Sequence, residues 1–236
     1  MRWTFGVQCA REALHAHGAA VAEVLLASDS PTTAGLARLA AHHGVRVDRT
    51  DKARLDRLAQ GGLHQGVAAR VPDLRLLDVS DVVASKTLIV ALDEIQDPHN
   101  FGAIVRSAVA LAEGVVLFGR HGAAPLTPAT FRASAGAIEH ATLVEVRSLR
   151  SALAELREAG WAVVALDGSG TQALSAVDLR APTVLVIGSE GEGVRRSVRE
   201  GASTVARIPM TPRIGSLNAS VAAAVSLYEA CRQRGT

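Results

Sequence analysis

Residues 208–230, IPMTPRIGSLNASVAAAVSLYEA, decide the fold. The run TVARI just before them (204–208) is rich in β-branched residues and reads as a buried strand. Pro209 and Pro212 stop both ladder and helix, and Gly215 permits an unusual turn. Ser216 and Asn218 are both helix N-cap residue types. An Ala/Val run follows, with Val221, Val225 and Tyr228 spaced to form one apolar face. A strand therefore feeds a stiff loop, which delivers polar side chains and helix-start N–H groups to one place. Many ordinary strand-to-helix turns share that description, so the stretch marks a candidate site without yet naming a chemistry.

Working outward, the same texture repeats. Strands are predicted at 88–92, 115–118, 162–166, 183–187 and 204–208, and helices at 101–113, 148–159 and 219–232. Near-continuous apolar strands alternating with helices imply an α/β fold with a parallel sheet covered on both faces. Ligands of such sheets lie at the carboxyl ends of the strands. Three unusual loops follow strands: DEIQDPHNFG (93–102), GSEGEG (188–193) and PMTPRIGSLN (209–218). Ahead of them, helices at 8–17, 33–43 and 52–58 and strands at 22–28, 45–47 and 66–71 outline a smaller α/β unit. The Asp-rich 72–86 reads as a linker with one turn of helix. The expected division is thus 1–71, a linker 72–86, and 87–236.

Composition sets bounds. Hydrophobic residues make up 48% and charged residues 20% of 236, a globular balance. The apolar runs are too short to cross a bilayer, and MRWTFGVQCAREAL lacks the apolar core of a signal peptide. Cys9 and Cys231 give neither a disulfide framework nor metal-ligand spacing. A reduced, cytoplasmic protein with no membrane partner is expected. The net charge of +2 points only weakly to an anionic partner, although Arg195, Arg196 and Arg199 cluster, as do Arg46, Arg49, Lys52, Arg54 and Arg57. Solvated helix faces explain such runs equally well. One Tyr and four Phe leave little for a base-stacking platform.

GSEGEGVRR (188–196) has G-x-x-G-x-G spacing, which is neither a dinucleotide fingerprint nor a P-loop. Glu190 and Glu192 would repel a phosphate, so the loop suits a neutral or cationic ligand. Asp97, Pro98, His99 and Asn100 are turn chemistry before a helix, and Arg106 follows on that helix beside small residues. LDGSG (166–170) reads as a turn. No hydrolase elbow, H-E-x-x-H or Cys pair occurs.

Together and in this order, DPHNFGAIVRSA (97–108), LVIGSEGEGVR (185–195) and IPMTPRIGSLNASVAAAVSLYE (208–229) resemble the three signature motifs of the SpoU family of RNA ribose 2′-O-methyltransferases. FGVQCAREAL (5–14), HQGVAARV (64–71) and APLTPATFRASAGAIEH (124–140) are similar to the branch acting on a guanosine of 23S rRNA. The resemblance implies S-adenosylmethionine as methyl donor, no metal, and a small N-terminal RNA-binding domain. It also implies a SPOUT-type catalytic domain with a deep trefoil knot, working as a homodimer. By the same resemblance, Asn100, Arg106, Glu190, Ser216 and Asn218 are catalytic positions, and Gly188, Ile208 and Leu217 hold the cofactor. An arginine whose pKa exceeds about 12 is a poor base. Arg106 therefore reads as a phosphate holder that stabilises the developing alkoxide. The basic, Pro-bearing MTPRIG departs from the ribosomal branch and leaves a resistance-type rRNA target open. A tRNA enzyme of the same fold and a non-catalytic RNA-binding protein are the other readings. The first of these often carries basic terminal extensions, and intact motif residues argue against the second. Residues 1–71 hold none of the three motifs, so their deletion is expected to leave a folded core.

Overall fold

The computed structural model describes residues 1–236 apart from Lys86, Thr87, Pro212, Ile214 and Thr236. The expectations resting on Pro212 and on a boundary at Lys86 and Thr87 lie outside the described residues. The chain forms two compact units, Met1–Leu74 with Leu126–His140, and Arg75–Pro125 with Ala141–Thr236.

The first unit is built on β1 (Arg2–Phe5), α1 (Val7–His17), β2 (Glu23–Leu26), α2 (Pro31–His42), β3 (Arg46–Arg49), α3 (Lys52–Ala59) and β4 (Val67–Val71). Its four strands lie in the order β1-β4-β2-β3, with β2 and β3 parallel and the other pairs antiparallel. Strand β1, RWTF, was not expected from its sequence. Helix α2 starts where its sequence dictates. The Ser30 hydroxyl accepts from the Thr33 N–H at 3.1 Å, and Pro31 takes the first helical position. Leu14, Leu26, Leu36 and Val67 close one core of this unit.

The second unit comprises β5 (Leu76–Leu77), α4 (Val79–Val82), β6 (Leu88–Asp93), α5 (Pro98–Leu111), β7 (Val115–Gly119), β8 (Thr142–Val146), α7 (Leu149–Glu158), β9 (Ala162–Leu166), β10 (Gln172–Ala173), β11 (Thr183–Gly188), α8 (Arg196–Arg199), β12 (Thr204–Arg207) and α9 (Ala219–Arg234); α6 (Pro128–Ala133), lying between β7 and β8 in the chain, packs in the first unit. Among the described residues, eight strands run parallel in the order β10-β12-β9-β11-β6-β7-β8-β5. The parallel α/β sheet is thus the one expected. Strands β6 and β11 are apolar from Leu88 to Leu92 and from Val184 to Ile187 and are buried along that length, as a strand covered on both faces requires. From β6 the chain steps outward to β7 and β8, then returns to the far side of β11. The order turns back between β6 and β11, which is where parallel sheets bind ligands. Phe101 is fully buried and meets Phe118 edge-to-face at 5.3 Å, fastening α5 to β7.

Two differences from the expected division have clear causes. The 72–86 stretch supplies β5, which extends the sheet beside β8; its expected turn of helix forms as α4, whose capping box joins Asp78 and Asp81. The segment Leu126–His140 belongs to the first unit, although it lies between β7 and β8 in the chain. Glu139 holds it there: its buried carboxylate binds Arg2 at 2.5 Å and His17 at 2.9 Å. The Arg2 guanidinium also stacks 4.5 Å over the Phe131 ring.

Candidate active site at the turn-back of the parallel sheet

Helix α5 begins at Asp97, whose carboxylate accepts from the N–H groups of His99 at 3.1 Å and Asn100 at 3.2 Å. That cap holds Asn100 at the helix start, 8% exposed. From the neighbouring strand β11, the loop 188–193 presents Glu190, whose Oε1 accepts from Asn100 Nδ2 at 3.2 Å. From the third loop, Asn218 Nδ2 donates to the same Glu190 oxygen and, at 3.0 Å, to Asn100 Oδ1. Asn218 Oδ1 faces the other way and caps α9, accepting from the N–H groups of Ser220 at 2.9 Å and Val221 at 3.3 Å. This fixes the amide orientation, because only Nδ2 is then left to face the carboxylate. Two amides and one carboxylate, from three loops far apart in sequence, close a triangle.

Replacing Asn218 with Ala removes the cap and one donor to Glu190 together. A loss of about 1 kcal/mol of stability is expected from the cap, read as a lower melting temperature. Asn218→Asp, which keeps the capping oxygen but sets a second carboxylate against Glu190, separates the two roles. It should recover the cap and still lack the donor.

Beside the triangle lies a pocket of about 310 Å³ at the carboxyl ends of β9, β11 and β12. Gly188, Ile208, Leu217 and Ser216 line it, and so do Glu190 and Asp167. Gly188 is required by contact: a Cβ there would stand 2.0 Å from the carbonyl carbon of Gly193 and 2.2 Å from the Val194 nitrogen. The loop folds back so tightly because the Gly193 N–H donates to the Ser189 carbonyl at 3.0 Å. Gly191 and Gly193 take φ of 90° and 67°, where side chains are strained. Asp167 accepts from the Ser169 hydroxyl at 2.5 Å and from Arg199 at 2.9 Å. Burial opposes its ionisation, but the Ser169 and Arg199 contacts outweigh burial and hold the carboxyl below its ordinary range.

The candidates named from the sequence divide accordingly. Asn100, Glu190 and Asn218 meet directly; Gly188, Ile208, Leu217 and Ser216 line the pocket. Ser216 takes no part in capping α9, a role that Asn218 fills. Arg106 stands apart. It is exposed on α5 and makes no hydrogen bond or ion pair among the described residues. Six residues of helix turn it through about 600° from Asn100, onto another face.

Two features escaped the sequence reading. LDGSG, read as a turn, forms a pocket wall through Leu166, Asp167 and Gly168. Asp93, taken as a loop residue, ends β6 with no exposed surface and accepts from the backbone N–H and Nε of Arg195, both at 2.8 Å. Arg195 also binds Glu94 at 2.8 Å, whose backbone is left-handed at φ 58°. An acid directly after an apolar strand and an arginine two residues after a Gly-rich loop were the available signals. Among the described residues, no group of three or more His, Cys, Asp or Glu could hold a metal ion, and no helix is long and apolar enough to cross a membrane.

Residues 87–228 match the SpoU rRNA Methylase family, and residues 3–77 match the family of RNA 2′-O ribose methyltransferase substrate binding. The chain belongs to the SpoU rRNA methylase family. A 23S rRNA (guanosine-2′-O-)-methyltransferase of Xylella fastidiosa is 34% identical over 241 residues, covering 99% of this chain and 97% of that protein. An uncharacterized tRNA/rRNA methyltransferase of Mycolicibacterium gilvum is 39% identical over 203 residues, or 84% of this chain. That match spans only 65% of the mycobacterial protein's own length. The SpoU methyltransferase AviRb of Streptomyces viridochromogenes, solved in complex with the cofactor AdoMet, superimposes with a TM-score of 0.78 at 28% identity, over 99% of this chain and 90% of that one. This SpoU-family chain therefore shares its fold with its relatives across both units.

Proposed function

We propose that this chain transfers a methyl group from S-adenosylmethionine to a ribose 2′-hydroxyl of RNA, with a guanosine of 23S rRNA as the target. The observation that carries the reading is the closed Asn100–Glu190–Asn218 triangle beside a pocket of small-molecule size, in a member of the SpoU family. The similarity to the Xylella fastidiosa enzyme along nearly all of both chains supports the choice of RNA. The pocket chemistry suits the cofactor: Ile187, Ile208 and Leu217 offer apolar contact, and Glu190, Glu192 and Asp167 favour a cation over a phosphate.

When bound, the cofactor supplies a methyl carbon on a cationic sulfonium, open to attack by the ribose oxygen. The protein's part is positional. Asn100 and Asn218 hold the Glu190 carboxylate in one orientation, and the 188–193 loop closes one side of the cavity. Arg106 holds the adjoining phosphate and stabilises the alkoxide, with the proton passing to that phosphate or to water.

The proposal includes a homodimer in which Arg106 of a second copy completes each site. Three facts support it: Arg106 is exposed, α5 packs against α9, and α9 exposes Val221, Val225 and Tyr228 on one stripe. The apolar face foreseen on α9 thus faces outward, while Ala223, Leu227 and Ala230 pack inward. Residues 1–71 are assigned to RNA binding together with the 126–140 segment of the same unit, 72–86 to the link, which also adds β5 to the sheet, and the rest of 87–236 to catalysis. The trefoil knot and a cytoplasmic location belong to the same proposal.

Two experiments test it. Full-length protein, labelled S-adenosylmethionine and a 23S rRNA transcript should yield a ribose-methylated guanosine on nuclease digestion and mass spectrometry. A digest without methylated ribose rejects the function. Val225→Glu with Tyr228→Glu should turn the dimer into a monomer by light scattering and abolish transfer; a dimeric, active double variant rejects the shared site.

A further inference from the structure

We propose that a second concavity on the same sheet edge binds a backbone phosphate of the RNA, next to the nucleotide that is methylated. The proposal rests on reading the protein as an RNA methyltransferase. A cavity of about 370 Å³ lies at the carboxyl ends of β6, β7 and β8, walled by Glu94, His121, Arg147, Ser148, Arg150 and Arg195. It spans the ends of the first to third strands beyond β11, hence roughly 5–14 Å from the loop that carries Glu190. Between them lies a middle cavity, which shares Glu190 with the first pocket and Glu94 with this one. The three form a row along one edge.

Charge changes sign along that row. Glu94, Asp97, Glu190 and Glu192 line the middle cavity, with no cation among them. The first pocket sets Asp167, Glu190 and Glu192 against Arg199 alone. A polyanion is repelled by both. The third cavity reverses this. The Glu94 carboxylate is bound by Arg195, which leaves Arg147 and Arg150 in the wall with no other lining carboxylate to offset them. Both are exposed and form no ion pair within 4 Å among the described residues. Glu200, the carboxylate that feels Arg150, is held by Arg196 at 2.6 Å.

The backbone adds to the side chains. Helix α7 starts at Ser148, whose hydroxyl accepts from the Ser151 N–H at 3.3 Å. That leaves the N–H groups of Leu149 and Arg150, both in the cavity wall, with no acceptor inside the helix. Two guanidiniums and two helix-start N–H groups supply donors enough for the two non-bridging oxygens of a backbone phosphodiester. A strand that places its reacting ribose near Glu190 meets this cavity as the one locus along the row that attracts its backbone.

The test compares full-length wild type with Arg147→Ala/Arg150→Ala and with Arg150→Glu. The probe is the 23S rRNA transcript, its affinity measured by fluorescence anisotropy over a series of salt concentrations. The double variant is expected to lower the slope of log affinity against log salt by about 1–2. Calorimetry with S-adenosylmethionine should give wild-type affinity, showing an intact fold and first pocket. Unchanged RNA affinity and salt slope in both variants overturn the proposal. So does a result in which inorganic phosphate binds in a variant-sensitive way while the RNA slope stays fixed, which makes the cavity a site for free anions. Methyl transfer by the wild type separates the two readings. If the variants lose slope but the wild type transfers no methyl, the phosphate site stands and the catalytic reading falls. If the wild type transfers methyl and the variants bind RNA unchanged, only the phosphate site falls.

Discussion

Arg106→Ala is expected to slow methyl transfer by on the order of 10²–10³-fold while leaving S-adenosylmethionine affinity near wild type. The size is that of losing one preorganised group aimed at developing charge. The selectivity follows from position: Arg106 is exposed on α5 and does not line the pocket that holds Gly188, Ile208 and Leu217. Its removal leaves no buried group unpaired, so stability should move by less than about 0.5 kcal/mol. Arg106→Lys should also be poor, because an ammonium lacks the planar two-pronged geometry that grips a phosphate. Single-turnover kinetics with calorimetry on each variant decide the matter. Near-full activity in the Lys variant means that a point charge is enough and that the guanidinium has no special role.

Gly188→Ala should be as damaging for the opposite reason, through the cofactor pocket. The new methyl group would lie 2.0 Å from one backbone atom and 2.1 Å from another, both in Gly193. Backbone cannot swing aside as a side-chain tip can, so the Ser189–Gly193 bridge must open. Opening it moves Glu190 away from Asn100 and Asn218. Transfer should fall by on the order of 10²-fold, with a parallel loss of cofactor affinity. Overpacking of this kind costs about 1–3 kcal/mol, so the protein should remain folded. Wild-type cofactor affinity in a folded Gly188→Ala protein would show that the loop's tight return is not what shapes the pocket.

How much of this was legible in the sequence depended on burial. LIVAL (88–92) and TVLVI (183–187) announce themselves, because strands covered on both faces carry no polar interruption. TLVEV (142–146) did not, because Glu145 points out to Arg120 and breaks the apolar run. The site loops were legible through their turn residues and through the rule that ligands sit at strand ends. That rule places loops but cannot orient a helix. Arg106 lies on the helix that follows the first of these loops, and six residues of α-helix carry it to another face than Asn100. Asp93 was missed because a buried acid needs a partner, and Arg195 lies a hundred residues away in sequence. The triangle itself was out of reach of spacing alone; the resemblance to the SpoU motifs named its members, and the folded chain supplied their contacts.

The placement of Leu126–His140 also sets an order in time. Synthesis delivers residues 1–74 first, yet Arg2 and His17 have no Glu139 to bind until residue 140 has emerged. At about 5–20 residues per second, that gap lasts roughly 3–13 s. Through it the nascent strands β1–β4 lack the segment bearing Phe131 and Ile138. Deleting residues 1–71 creates the converse orphan, a remainder whose 126–140 segment has lost its packing surface. Residues 1–74 of the first unit are therefore made before any of the second, but the unit reaches its final form only after β6, α5 and β7 of the second unit have already left the ribosome.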